Sequence, residues 1–147
     1  MAERSTSVRG DLGASVDAEA IWIHVDPETR RPTRLPKAFE DVYGPSAGDH
    51  RPRSSLRHPP TPPDGAERLE WSFGRSEIDL AGHVSNLWYW DVAEEYLDLA
   101  PLRSGGATLE AEFRSGIGHG AATVHKAGSM LWISDGGGTV AGTLSIS

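Results

Sequence analysis

The chain has 147 residues, with 14 lysines and arginines against 21 aspartates and glutamates, which gives a net charge of −7. This length fits one domain of ordinary size. The acidic balance argues against nonspecific nucleic-acid binding, which depends on neutralising phosphates with basic side chains. The absence of cysteine excludes disulfides, thiolate zinc sites and a cysteine nucleophile.

Segments that could insert in a membrane are missing from the sequence. No apolar run approaches the roughly 20 residues that span a bilayer. Residues 1–15 also lack the apolar centre of a signal peptide. We therefore expect no membrane insertion and a cytoplasmic location.

The first 66 residues are expected to contain little packed structure. Residues 1–18 are small, polar and without periodicity, which predicts a disordered tail. In the segment 19–43, residues 20–26 alternate apolar and polar side chains and predict a short strand, followed by an extended basic stretch. Residues 44–66 hold six prolines and almost no apolar side chains. Proline fixes φ and withholds a backbone donor, so this stretch predicts a linker that neither pairs in a sheet nor continues a helix.

Residues 67–147 carry the pattern of a small α+β domain. A single amphipathic helix and a curved antiparallel sheet can bury each other, which defines this class. A domain of about 80 residues leaves one face uncovered, so we expect association into a homodimer. The predicted elements are strands at 67–74, 107–114, 122–134 and 139–146, and one helix at 86–100.

The predicted helix has one polar face. Four acidic residues fall at helical spacing and predict a solvated surface: Asp91, Glu94, Glu95 and Asp98. Ser85 or Asn86 suits the helix start as a cap, and Pro101 is expected to end the helix. Asp135 and the three glycines at 136–138 predict the hairpin between the last two strands.

The segment 75–97 is the most informative part of the chain. A strand runs to Asp79, turns at Gly82 and enters the predicted helix near Ser85. This order places Asp79 and His83 beside free N–H groups at a helix N-terminus, which can stabilise a developing oxyanion. Gly82 permits a positive φ or a close approach of the backbone to a ligand.

The residues from Asp79 to Tyr89 form the pattern D-x-x-G-H-V-x-N-x-x-Y. This pattern resembles the hot-dog-fold thioesterases, and more narrowly the C-terminal half of acyl-ACP thioesterases. Residues 20–36 are similar to the segment that closes the first of that family's two hot-dog halves. The resemblance covers residues 19–40 and 67–135. It implies a hot-dog fold, in which a curved antiparallel sheet wraps around one long helix, and a homodimer with the acyl site at the subunit interface.

The resemblance also implies an activity, the hydrolysis of an acyl thioester on acyl carrier protein or CoA in fatty-acid or polyketide metabolism. Asp79 would act as nucleophile or base, and His83 as an orienting or proton-exchanging residue. Backbone amides at 84–86 would polarise the carbonyl group. No cofactor or metal is implied. The expected site comprises Asp79 and His83 as catalytic residues, and Gly82, Val84, Ser85, Asn86 and Trp88 as substrate-binding residues.

Two departures from the family pattern keep other functions open. The family asparagine two residues after the aspartate is Ala81 here, and residues 114–119 contain no carboxylate or thiol, which excludes an Asn-His-Cys triad. Both departures favour a non-catalytic acyl-binding protein. A dehydratase or cyclisation factor is a further alternative, although its Asp, Asn-Pro and His signature is absent. An Asp79 side chain in an apolar tunnel would favour catalysis, whereas one that caps its own turn would favour the binding protein.

Several other side chains have two interpretations. Trp88 and Trp90 either line an acyl pocket or pack in the core or a dimer contact. Four histidines outside the motif lack metal-ligand spacing: His50, His58, His119 and His125. Six arginines form either a solvated linker or a docking patch for an acidic carrier protein or a phosphopantetheine phosphate: Arg30, Arg31, Arg34, Arg51, Arg53 and Arg57.

Overall fold

The computed structural model describes residues 1–29, 31–47 and 55–147. The chain forms two compact units, Met1–Ser55 and Leu56–Ser147. None of the helices in these described ranges is long and apolar enough to cross a membrane.

The N-terminal unit contains a two-stranded hairpin where a disordered tail was expected. Strand β1 (Ala2–Arg9) pairs antiparallel with β2 (Ser15–Trp22). The strand predicted at 20–26 therefore begins and ends earlier. Backbone pairing and a few polar side-chain contacts, such as the Arg9–Asp17 ion pair, connect the two strands, and nearly all of their side chains are exposed. Because these side chains are exposed, residues 1–18 have no apolar periodicity from which the hairpin could be predicted.

Helix α1 (Lys37–Ala47) extends into the segment predicted to be a linker. The prediction that residues 44–66 cannot continue a helix is wrong for Gly44 to Ala47. Pro45 lies in the last turn of α1, where a missing N–H removes only one intrahelical bond. Four residues of the suggested basic patch and the histidine set lie outside the described residues: Arg30, His50, Arg51 and Arg53.

The C-terminal unit contains a five-stranded antiparallel sheet and two short α-helices, which confirms the α+β class. Helices α2 and α3 follow the first strand and precede the other four. The spatial order of the strands is β3-β5-β6-β7-β4. The elements are β3 (Glu67–Phe73), α2 (Tyr89–Tyr96), α3 (Ala100–Ser104), β4 (Leu109–Phe113), β5 (Gly120–Ala127), β6 (Met130–Ser134) and β7 (Val140–Ile146).

The single helix predicted at 86–100 is divided in the structure. A short 3₁₀ turn, Asn86–Trp88, precedes α2, and the chain becomes extended at Leu97 before α3 begins. Pro101 lies in the first turn of α3, so it starts a helix instead of ending one. Proline suits this position because the N–H groups of a first turn have no intrahelical partner.

The strand predicted at 122–134 is also two strands. A turn at Gly128 and Ser129 separates β5 from β6, so four strands follow the helices instead of three. Gly128 has a φ of +58°, which its missing side chain permits. Apolar residues on both sides of this turn made the two strands look continuous.

The core lies between α2 and one face of the sheet. The acidic face of α2 is exposed, as predicted, while Tyr89, Val92 and Ala93 are buried. The Tyr89 ring centre lies 5.0 Å from that of Phe113. A Cβ atom placed on Gly142 of β7 would lie only 2.8 Å from Cε1 of Tyr89. The start of α2 therefore packs directly on the backbone of β7.

We predict that Gly142→Ala lowers the free energy of unfolding by about 1–3 kcal/mol, because Tyr89 would have to leave its position in the core. Chemical denaturation measures this change. Gly136→Ala is the matched control, since a Cβ atom there meets no atom within 4 Å. Equal destabilisation by the two substitutions would contradict the proposed packing.

Candidate active site

The candidate site is built on a tight turn between β3 and α2. Ile78 and Val84 form an antiparallel bridge, and the N–H of Asp79 donates to the carbonyl of His83 at 2.8 Å. Gly82 has a φ of +81°, and its N–H donates to the Asp79 carbonyl at 3.0 Å. A three-residue loop that ends in a glycine of positive φ is a common connection between antiparallel segments. The turn therefore brings Asp79 and His83 together.

The Asp79 carboxylate caps this turn. Its Oδ1 accepts hydrogen bonds from the N–H groups of Ala81 at 2.8 Å and His83 at 3.5 Å. The side chain is exposed, and its Oδ2 has no hydrogen-bond partner among the described residues. One oxygen of Asp79 is thus committed to the backbone and the other is available.

A second turn in the chain has the same hydrogen bonds. Asp135 Oδ1 accepts from the N–H groups of Gly137 at 2.9 Å and Thr139 at 2.8 Å. Gly138, with a φ of +83°, donates its N–H to the Asp135 carbonyl at 3.0 Å. Both segments read D-x-x-G. The capping bonds of Asp79 are therefore a property of this turn type, and the surroundings of the turn must distinguish a functional aspartate.

A cavity of about 260 Å³ lies beside the first turn and the start of α2. It brings together four of the predicted site residues, Asp79, His83, Val84 and Asn86. The other predicted residues do not line it: Gly82 shapes the turn, Ser85 caps the following 3₁₀ turn and Trp88 packs against the core. The lining is Asp79, His83, Val84, Asn86, Tyr89, Phe113, Arg114, Ser115 and Gly116.

Two of the three backbone amides expected to polarise a carbonyl are already hydrogen bonded. The N–H of Val84 donates to the Ile117 carbonyl at 2.8 Å, and that of Ser85 donates to the Glu77 carbonyl at 2.9 Å. The expectation that these two amides form an oxyanion hole is wrong, because the turn uses them to pair with its neighbours. Asn86 is left, with an N–H that has no acceptor within the described ranges.

The His83 ring packs against the backbone of Gly116. A Cβ atom on Gly116 would lie 2.3 Å from Cδ2 and 2.6 Å from Nε2 of His83. The ring is half-buried, and neither of its nitrogens has a hydrogen-bond partner in the part of the chain that the structure describes. Gly116 lies in the segment 114–119 that lacks a carboxylate or thiol, and its missing side chain leaves the space that the His83 ring occupies.

Five lining residues were not predicted from the sequence. Tyr89 ends the D-x-x-G-H-V-x-N-x-x-Y pattern but was not expected in the site, and Phe113 lies in the strand predicted at 107–114. Arg114, Ser115 and Gly116 were considered only for the carboxylate or thiol that they lack. Their position directly after a predicted strand was the available indication, since chain that leaves a sheet often lines a site. No group of three or more histidine, aspartate or glutamate side chains within the described ranges could hold a metal ion.

Solved structures that share this fold include three proteins named as thioesterases. The chain aligns with a putative oleoyl thioesterase from Lactobacillus plantarum with a TM-score of 0.67, 15% identity and coverage of 98% of this chain and 61% of that one. The chain has the fold of the acyl-ACP thioesterases. The 12:0-ACP thioesterase from Umbellularia californica aligns with a TM-score of 0.65 and 18% identity, over 99% of this chain and 61% of that one. An acyl-ACP thioesterase from Bacteroides thetaiotaomicron aligns with a TM-score of 0.64 and 13% identity, over 98% of this chain and 61% of that one. The predicted resemblance is confirmed for the fold.

Sequence comparison finds relatives without an assigned activity. An uncharacterized protein of Mycobacterium tuberculosis, in strains H37Rv and CDC 1551, is 31% identical over 115 residues. The match covers 77% of this chain and 45% of the relative, so the chain spans about half the length of the curated relatives it matches. No family model matches the chain.

We predict that Gly116→Ala displaces the His83 ring, because the new methyl group would overlap it. Proton–carbon NMR spectra of the histidine rings, with His83 assigned from His83→Asn, should show a moved His83 signal. Gly118→Ala is the control two residues along, where a Cβ atom meets nothing within 4 Å. An unmoved His83 signal in Gly116→Ala would contradict the packing.

Burial raises the pKa of Tyr89 to about 12, because the phenolate loses hydration beside the core. Below pH 10 the phenol is neutral in both the folded and the unfolded chain, so its contribution to stability is fully present. Between about pH 10 and 12 the unfolded chain ionises first and stability falls. We expect this fall to be smaller in Tyr89→Phe, as measured by denaturation at a series of pH values.

Proposed function

We propose that the chain hydrolyses acyl thioesters carried on acyl carrier protein or CoA, with the cavity at the start of α2 as its active site. The observation that carries this proposal is the placement of Asp79 and His83 on one cavity. The fold supports it, since the solved structures that share the fold are named as thioesterases. The Asp135 turn has the same backbone bonds, but Asp135 does not line the cavity that His83 lines.

The free Oδ2 of Asp79 supplies the base or the nucleophile. As a base it takes a proton from water while the water oxygen bonds to the thioester carbon. The carbonyl oxygen gains negative charge, and the N–H of Asn86 is the available backbone donor for it. Collapse of this adduct breaks the C–S bond, and the thiolate leaves with little need for an acid. His83 orients the carbonyl group or exchanges the proton.

The apolar part of the lining suits an acyl group. Tyr89 is buried in the core and Phe113 stacks edge-on against it, and both residues line the cavity. An acyl chain that enters beside Asp79 would exchange water for the half-buried ring of Phe113. We place this reaction in cytoplasmic fatty-acid or polyketide metabolism and expect a homodimer.

The decisive experiment is release of free thiol from a panel of acyl-CoA and acyl-carrier thioesters by wild type, Asp79→Asn and Asp135→Asn. Each asparagine can still accept the turn hydrogen bonds, so both variants should keep the melting temperature of the wild type. We expect Asp79→Asn to lose about 100-fold in kcat, whereas Asp135→Asn should retain the wild-type rate.

The turn-capping bonds of Asp79 favour a second candidate, a non-catalytic acyl-binding protein. That function predicts no thiol release by the wild type while a fluorescent acyl-CoA still binds. Binding without release would therefore replace the thioesterase proposal with this one. Equal loss of rate in the two asparagine variants would show that Asp79 acts only through its turn.

A further inference from the structure

Residues 56–59, here called the strap, pack on the sheet although the sequence predicted a solvated linker. The Pro59 carbonyl accepts a hydrogen bond from Nε1 of Trp132 at 2.8 Å. His58 places Nδ1 at 2.8 Å from the Thr143 hydroxyl and Nε2 at 3.1 Å from the Ser145 hydroxyl. Thr143 alternates along β7 with residues that face α2, so the strap crosses the opposite face of the sheet.

The strap also binds an ion pair between Glu112 of β4 and Arg114, the residue that follows β4. The Glu112 carboxylate accepts hydrogen bonds from the backbone N–H groups of Arg57 and His58. Nη2 of Arg114 donates to the His58 carbonyl at 2.6 Å and to Oε2 of Glu112 at 3.0 Å. The Glu112 side chain is only 12% exposed and the Arg114 side chain only 18%. Such charges must stay paired, so Arg114 has little freedom to move.

Arg114, which the ion pair and the strap hold in place, begins the segment that packs against His83. The N–H groups of Arg114 and Ser115 both donate to the Ala141 carbonyl, at 2.8 and 3.2 Å. Gly116 follows, with the His83 ring against its backbone. One contiguous path therefore connects the strap to the imidazole. Backbone in direct contact with a ring transmits a displacement, because packed groups leave no slack.

We propose that Arg114 is a positioning residue: its ion pair with Glu112 and its bond to the strap fix Gly116, and Gly116 fixes the His83 ring at the cavity. The inference rests on the proposed function for its effect on rate. The strap is then part of the active-site framework, even though it lies on the far face of the sheet.

The test uses the full chain and the NMR signals of the His83 ring, recorded without substrate through a pH titration. We expect Arg114→Gln and Glu112→Gln to move the His83 signals, because each breaks the ion pair beside the strap. Arg103→Gln, at an exposed position of α3, is the control and should leave them in place. Arg114→Lys keeps the charge and should move them less than Arg114→Gln.

Kinetics supply the second measurement. We expect Arg114→Gln to lower kcat about tenfold or more with KM nearly unchanged, because a misplaced His83 affects the reacting groups more than binding. A His83 signal that stays in place in folded Glu112→Gln overturns the inference, whatever Arg114→Gln does to folding. Absence of thiol release by the wild type overturns only the thioesterase proposal, since the NMR comparison needs no substrate.

Discussion

The packing of Tyr89 on the backbone of β7 determines where the site lies. Because Gly142 has no side chain, the ring reaches the sheet and the first turn of α2 comes close to β4. Phe113 then stacks against the ring, and the chain that leaves β4 passes the turn containing Asp79. A bulkier residue at 142 would lift α2 away from the sheet. The cavity is thus a product of helix-on-sheet packing at one glycine.

The structure changes the interpretation of Gly116 from a position without a functional group to a position that makes room for the His83 ring. In the sequence, the segment 114–119 around Gly116 lacks a carboxylate or thiol, and this absence favoured a non-catalytic protein. In the structure, the same absence of a side chain admits the His83 ring. A single sequence cannot distinguish a lost functional group from a space that a distant ring fills, because nothing in the local pattern around Gly116 refers to His83.

The sequence was sufficient where structure follows from local periodicity. The amphipathic α2, the alternation of β3 and the turn at Gly82 all appear in the structure. The strap could not be predicted, since its contacts join residues 54 to 87 positions apart through single polar groups. Hydrogen bonds of this kind leave no periodic trace. The Val84 and Ser85 amides were misjudged for a similar reason, because their acceptors depend on chain pairing.

The two D-x-x-G turns have a consequence for how such a site can arise and be lost. The Asp79 turn is held by local hydrogen bonds of its backbone and of its own carboxylate, as its counterpart at Asp135 demonstrates by forming in another environment. The turn therefore holds the carboxylate in a fixed orientation before any ligand binds. This orientation is the same whether or not the carboxylate takes part in a reaction. A chain of this fold can gain or lose a working aspartate through changes at its neighbours alone, while the motif itself reads the same.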